Sequence, residues 1–357
     1  MENFTKTKLN DYKDEIQPIL EKFLSEKVQE YGELYPFAKL FLEHLAEFTL
    51  RGGKRLRPAL MYYSYMMFED EDLDEVKKVS IYLELIQSFL LIHDDIMDRS
   101  LLRREGDTMH KIFEAYSLQE NFQDDVHFGN TMGILNGDLA CLLAYEIINS
   151  SKLSTEKKSA LSFLVSKEIT KVIFGQIQDI ILAYKEDYSK EEILGVHHYK
   201  TAIYTFKLPV FSGAMLANAS KDKLKILEDY AINCGIAYQI RDDILGVFGD
   251  DKTIGKGTVS DIIEDKKTLL ILHAYSKANR SQKKILDCSL GNKDITHEQV
   301  VEFKKVLEQT GALDYSIKEC EKYVKEAKES LRGLSVKKNE GFDFLDSVVD
   351  YLSTRKY

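Results

Sequence analysis

The sequence predicts an all-α fold, a single helical bundle over residues 1–357, and three observations carry the prediction. Apolar residues recur with the 3.6-residue period of helices almost throughout, and no stretch alternates with the two-residue period of a strand. Only 4 prolines and 19 glycines occur in 357 residues, too few turn formers for most all-β architectures. No linker rich in Pro, Gly or Ser, no fixed-period repeat and no low-complexity tract divides the chain, so one domain is the economical reading.

Amphipathic helices are expected over 9–28 and 37–50, with Gly52-Gly53 as an interruption. Residues 79–98 are apolar on nearly every side as far as His93, the pattern of a helix buried centrally. Further helices are expected around 131–150, 155–186, 190–217 and 222–248, then Lys- and Glu-rich helices with short polar breaks from about 265 onward.

The balance of 49 Lys and Arg against 59 Asp and Glu, formally −10, argues against a nucleic-acid binder. The four cysteines, Cys141, Cys234, Cys288 and Cys320, form no CxxC, which fits buried thiols in a reducing cytoplasm better than a disulfide scaffold or zinc site. The first residues lack the apolar core of a signal peptide, and no run of about 18 apolar residues suggests a membrane span. A cytoplasmic protein without stable membrane insertion is the expectation.

Two acidic clusters sit where helix physics does not favour them. Asp94-Asp95-Ile96-Met97-Asp98 closes the central helix. Asp94 and Asp98 share a face at i, i+4, with Gln87 nearly on the same stripe, and acids at a helix C-terminus oppose its dipole. The second cluster is Gln239-Ile240-Arg241-Asp242-Asp243, with Gly246 on the stripe of Gln239, Asp242 and Asp243. Either cluster alone could be a solvated helix end; two apolar helices that both end in paired aspartates suggest opposed walls. A hard divalent cation with oxygen ligands, Mg²⁺ above all, would bridge such walls through a diphosphate. Cations accompany them: Lys54, Arg55 and Arg57 after the flexible Gly-Gly, Arg103-Arg104 just beyond the first cluster, then Lys200 and Lys266. Singly, such residues serve surface ion pairs; together, they could hold phosphates. This is not a P-loop, because GxxxxGK[ST] is missing.

GGKRLRP (52–58), DDIMD (94–98) followed by Arg103-Arg104, GQIQD (175–179), Lys200-Thr201, YQIRDDILG (238–246) and GKGTVSDIIEDKKT (255–268) stand in a familiar order. With them the chain resembles the trans-isoprenyl diphosphate synthases over about residues 45–275, most of all the archaeal-type geranylgeranyl diphosphate synthases, since DDIMD carries no insertion. The resemblance implies the isoprenoid synthase fold, an all-α bundle around a deep central cavity, usually as a homodimer. It implies that Asp94, Asp98 and Asp242 ligate three Mg²⁺ ions on an allylic diphosphate (Mn²⁺ substituting), with Asp95 and Asp243 supporting them. Arg103, Lys200 and Lys266 would contact the same diphosphate. Lys54, Arg57, Gln87 and Arg104 would bind isopentenyl diphosphate. Thr201 and Gln239 would lie beside the reacting carbons, with Gln176 and Asp179 nearby.

Three positions depart from the family pattern. Gly246 replaces the last acid of a second DDxxD, EGDTMH (105–110) lacks the proline of Gly-x-Pro-Thr-x-His, and EDKKT (264–268) has Asp265 where EGKxT has glycine.

The implied reaction is ionisation of a dimethylallyl, geranyl or farnesyl diphosphate, attack by the double bond of isopentenyl diphosphate, and proton loss to the released diphosphate. Phe89 and Ile86 lie about 7 and 12 Å down the helix from the metals at 1.5 Å per residue. An aromatic at Phe89 without a second at Leu90 resembles the floor of C20-making enzymes, so geranylgeranyl diphosphate is the expected product. Farnesyl or longer-chain synthesis, a class I terpene cyclase and a catalytically silent regulatory subunit are the alternatives. Gly246 and Asp250 fit the cyclase metal motif poorly, and silent subunits commonly lose acids that this chain keeps.

Overall fold

A computed structural model describes residues 2–249 and 260–354. Asp250, the first part of GKGTVS and the basic Arg355-Lys356 lie outside the described residues. The chain opens with α1 (Glu2–Gly32), α2 (Pro36–Leu50), α3 (Leu56–Met66), α4 (Leu73–Ser80) and α5 (Tyr82–Met97). A two-residue hairpin follows, β1 (Leu102–Arg103) paired antiparallel with β2 (Gly106–Asp107), then α6 (Met109–Glu120), α7 (Asp125–Ser150), α8 (Thr155–Ala183) and α9 (Lys190–Val196). A π-helix (His197–Lys207) leads into α10 (Leu208–Leu216) and α11 (Lys221–Phe248). Beyond the undescribed segment come α12 (Ser260–Ile263), α13 (Leu269–Lys277), α14 (Arg280–Ser289), α15 (His297–Gln309), α16 (Ala312–Arg332) and α17 (Glu340–Thr354).

The all-α expectation holds, with three differences. The helix expected over 79–98 is divided at Ile81, whose backbone stays helical, so α4 runs almost directly into α5. The small hairpin falls where no strand was expected, because Arg104 and Glu105 adopt positive φ (52° and 64°) and reverse the chain in two residues. The segment 190–217 is one helical path but changes winding in the middle. Starts are set locally: Ser154, Ser189, Ser220 and Thr296 each accept a hydrogen bond from a first-turn backbone N–H.

Two apolar clusters form the interior. Leu20, Leu45, Leu60, Tyr82, Phe113 and Phe206 belong to the larger, and Ile240, Leu270, Phe303 and Leu307 to the smaller. Helix α11 serves both, through Tyr230 and Cys234 in its first half and Ile240 and Ile244 in its second. Against the expectation that no segment resembles a membrane span, α7 is long and apolar enough to cross one by length and composition alone, a test that core helices also pass. Its buried stripe, Gly133, Asn136, Ala140 and Ala144, packs against α5 and α6, while Ile134, Leu135 and Leu142 stay exposed.

The π-helix is central to the site. Helix α8 meets it at Gly175, where a Cβ would lie 2.8 Å from that of Tyr199, and α11 meets it at Gly235, where a Cβ would overlap Ala202. Only glycine permits such backbone contact. Gln176 and Asp179 thus come beside Lys200, and Gln239 beside Thr201.

Candidate active site

The first acidic cluster ends α5, with Asp98 as its C-cap. Asp95 turns inward and is wholly buried, and Arg103 Nε donates to both its oxygens at 2.9 and 3.2 Å. The β1–β2 reversal delivers that guanidinium, which also lies 3.9 Å from Asp94. Asp94 accepts from Gln176 Nε2 at 3.1 Å and pairs with Lys200 Nζ at 3.0 Å. Lys200 also donates to Asp179 at 2.6 Å. Burial lowers the Lys200 pKa, but Asp94 and Asp179 outweigh it and hold it above the ordinary lysine range. Lost hydration, then neighbouring Asp94, pushes the Asp98 carboxyl up to about 7. This wall carries more negative charge than its own cations neutralise.

The second cluster lies within the last two turns of α11 rather than at its end. Asp243 is buried, accepting from Gln239 Nε2 at 2.8 Å and lying 3.1 Å from His197 Nε2 and 3.5 Å from Lys266 Nζ. Burial raises its pKa, but Lys266 and His197 outweigh it and leave it low. Asp242, next to it, is half-buried. Lys266 is raised well above its ordinary value: desolvation opposes this, but Asp261, Asp243, Asp242 and Asp179 prevail.

One hydrogen-bonded path joins the walls: Lys200 holds Asp94, adjacent Thr201 donates to Gln239 Oε1 at 2.8 Å, and Gln239 donates to Asp243. Glu264 raises both Asp98 and Asp261, so it too is felt on both sides. Among the described residues no three acidic, histidine or cysteine side chains converge to hold a metal unaided. Paired carboxylate oxygens with charge to spare at Asp98 nonetheless form a donor set suited to Mg²⁺ shared with phosphate ligands.

The basic segment divides its labour. Arg55, in a left-handed conformation at the start of α3, is buried against Glu84 and bonds Gln17 and the Thr49 carbonyl. It therefore serves the fold. Lys54 donates to Tyr351 Oη at 2.6 Å and lies 4.9 Å above that ring. Arg57 lies 4.4 Å over the Tyr204 ring and donates to Thr205 at 2.9 Å, while its buried Nε has no hydrogen-bond partner. Arg104 bonds the Arg51 carbonyl at 2.7 Å; burial, and then Arg55, Arg57 and Arg103 working against Glu84, hold its pKa below the ordinary value. Four arginines thus crowd one region, with an orphaned donor among them, as an anion site requires.

Gln87 is half-buried on α5, and Phe89 packs against the larger cluster with its ring edge-on to His93, centroids 5.0 Å apart. Sequence reasoning missed His197 and Asp261 against the second wall, and Tyr204, Thr205 and Tyr351 against the cations. His197 lies one turn before Lys200, a hint readable only once that segment is known to be helical and wound as a π-helix. The departure at Asp265 has a backbone reason: its φ is 51°, a region natural to glycine and tolerated by aspartate.

The polyprenyl synthetase family matches residues 38–309. The chain is 34% identical over 289 residues to a geranylgeranyl diphosphate synthase from Saccharolobus solfataricus, covering 80% of this chain and 81% of that one. It is 35% identical over 257 residues to a short chain isoprenyl diphosphate synthase from Methanocaldococcus jannaschii, 72% of each. Its fold matches a geranylgeranyl pyrophosphate synthase from Corynebacterium glutamicum, solved with isoprenyl diphosphate and magnesium, at a TM-score of 0.91 and 30% identity over 97% of this chain and 99% of that one. The chain belongs to the polyprenyl synthetase family, as a prenyltransferase of the trans-isoprenyl diphosphate synthase type.

Proposed function

We propose that the chain condenses isopentenyl diphosphate with an allylic diphosphate and stops at geranylgeranyl diphosphate. The observation that carries this reading is the path from Asp94 through Lys200, Thr201 and Gln239 to Asp243, which ties two acidic walls into one site. Arg103, Lys200 and Lys266 face the allylic diphosphate and neutralise it as it leaves. Lys54, Arg57 and Arg104 hold isopentenyl diphosphate, with the orphaned Arg57 Nε as one donor. Gln239 and Thr201, locked to each other, line the place where the carbons meet. The proton lost at the end passes to the departed diphosphate, so no side-chain base is needed. Charge held in place before reaction acts most strongly where water is excluded.

Asp94, Asp98 and Asp242 are the residues that would hold Mg²⁺, three ions in this reading with Mn²⁺ able to substitute; bound there, magnesium supplies Lewis-acid charge to the leaving diphosphate. A homodimer is supported by the large apolar side chains exposed on two helices, Leu135 and Leu142 on α7 and Phe163, Phe174 and Ile181 on α8, which a second copy would cover. A cytoplasmic setting fits four free cysteines. Incubation with Mg²⁺, labelled isopentenyl diphosphate and each allylic primer tests the reading. A C20 diphosphate is expected; a hydrocarbon would make the chain a cyclase, and absence of turnover a silent subunit.

A further inference from the structure

Gly246 lacks a conformational reason to be glycine. It lies within α11 and is not among the described residues with positive φ. Glycine there weakens the helix for no backbone gain. The reason is spatial. A Cβ built on Gly246 would overlap Oδ2 of Asp261 and lie 2.7 Å from its Cγ. Asp261, delivered by α12, thus puts its carboxylate where the side chain of residue 246 would begin, one turn along α11 from Asp242 and Asp243. The acid absent from the second motif is replaced through space by one from fifteen residues downstream.

That carboxylate is engaged. Its Oδ2 lies 3.7 Å from Lys266 Nζ, and the same ammonium lies 3.5 Å from Asp243 Oδ1. The backbone tightens the arrangement, since Lys266 N–H donates to the Asp261 carbonyl at 3.1 Å. The Asp261 side chain is only 14% exposed, so it has little freedom to turn elsewhere. Lys266 is thereby held between an acid of α11 and an acid of α12.

We propose that Asp261 is a positioning residue: it fills the gap left by Gly246 and holds the Lys266 ammonium against the second wall, where Lys266 meets the allylic diphosphate. Gly246 is glycine because Asp261 needs its space. This rests on the synthase reading for the role of Lys266, and goes beyond it in assigning work to Asp261 and Gly246.

The test is a double-mutant cycle on the full-length enzyme with Mg²⁺, both substrates and circular dichroism as a check of folding. Gly246→Ala should lower kcat about tenfold or more and raise KM for the allylic diphosphate, leaving KM for isopentenyl diphosphate unmoved. In an Asp261→Gly background the same alanine should add less than about twofold, because the carboxylate it displaces is gone. Gly246→Asp with Asp261→Gly should recover much of the activity that Asp261→Gly loses, a rescue that a merely structural role would not allow. Equal cost of Gly246→Ala in both backgrounds, or failure of that rescue, would overturn the proposal. If Asp261→Gly does not fold, isosteric Asp261→Asn carries the test: the same KM split is expected, and wild-type kinetics overturn the inference. Wild-type enzyme without turnover would sink the synthase reading itself, whereas active wild type with indifferent Asp261 variants sinks only this inference.

Discussion

The two acidic walls are written almost alike in sequence and built differently. On α5, Asp95 is buried and leans on Arg103, while lost hydration, and then neighbouring Asp94, pushes the Asp98 carboxyl up to about 7. On α11, the buried Asp243 is met by Gln239, His197 and Lys266, and its carboxyl is held low. Each pair therefore has one aspartate committed to the architecture and at least one neighbour that the proposed function assigns to magnesium. On the first wall the raised carboxyl, Asp98, belongs to the motif itself; on the second the motif's Asp243 arrives with its counter-charges built in, and the raised carboxyl is Asp261, from another helix. Similar motifs do not make similar electrostatics, because the partners come from other segments.

The largest test of that contrast is catalytic. Asp94→Ala and Asp242→Ala should each lower kcat by about 10²–10³ or more with the fold retained, since in the proposed function each helps hold the magnesium that stabilises leaving-group charge. Near-wild-type turnover in both, by transfer of labelled isopentenyl diphosphate, would break the two-wall reading.

The next is structural. Arg103→Ala leaves the wholly buried Asp95 without its guanidinium and should cost about 3–5 kcal/mol in urea unfolding. His197→Ala leaves Asp243 with Lys266 and Gln239 and should cost less, about 1–3 kcal/mol. Equal losses would erase the distinction drawn between the walls.

A smaller effect concerns pH. A carboxyl with a higher pKa folded than unfolded binds its proton better when folded, so the stability it confers is present at low pH and lost as pH rises through the folded value. For Asp98 that window runs from about 4 up to about 7. Histidines such as the buried His110 and the half-buried His198, held low by desolvation, tilt the opposite way, so the informative quantity is a difference. In chelator, the Tm of Asp98→Asn should rise relative to wild type between pH 5 and 8. A constant offset would remove the charge excess from the first wall.

The smallest change in free energy should be the most visible in product. Phe89→Ala, on the helix of the first wall, should lengthen the product by about one or more isoprene units on radio-chromatography, because in the proposed function its ring is the floor against which the growing product stops. An unchanged product would put the floor on another helix.

Much was readable beforehand for physical reasons. A helix such as α11 announces itself through period and its Ser220 cap, and paired aspartates on an apolar helix conflict with local physics enough to mark a site. Other features were not readable. Arg55 and Lys54 are adjacent and chemically alike, yet one is buried on Glu84 and the other lies by Tyr351, nearly three hundred residues away. Helices α8 and α11 close on the π-helix at Gly175 and Gly235, and no local propensity reports that meeting.

By itself the sequence determined the helices, the acids and cations available, and the family, because periodicity and motif order are local properties of the chain. Only the tertiary structure decided which carboxylate is buried, which cation meets it and why Gly246 has no side chain. Desolvation and ion pairing act through space, and here they join residues from α5, α8, the π-helix, α11 and α12 that no spacing along the chain connects.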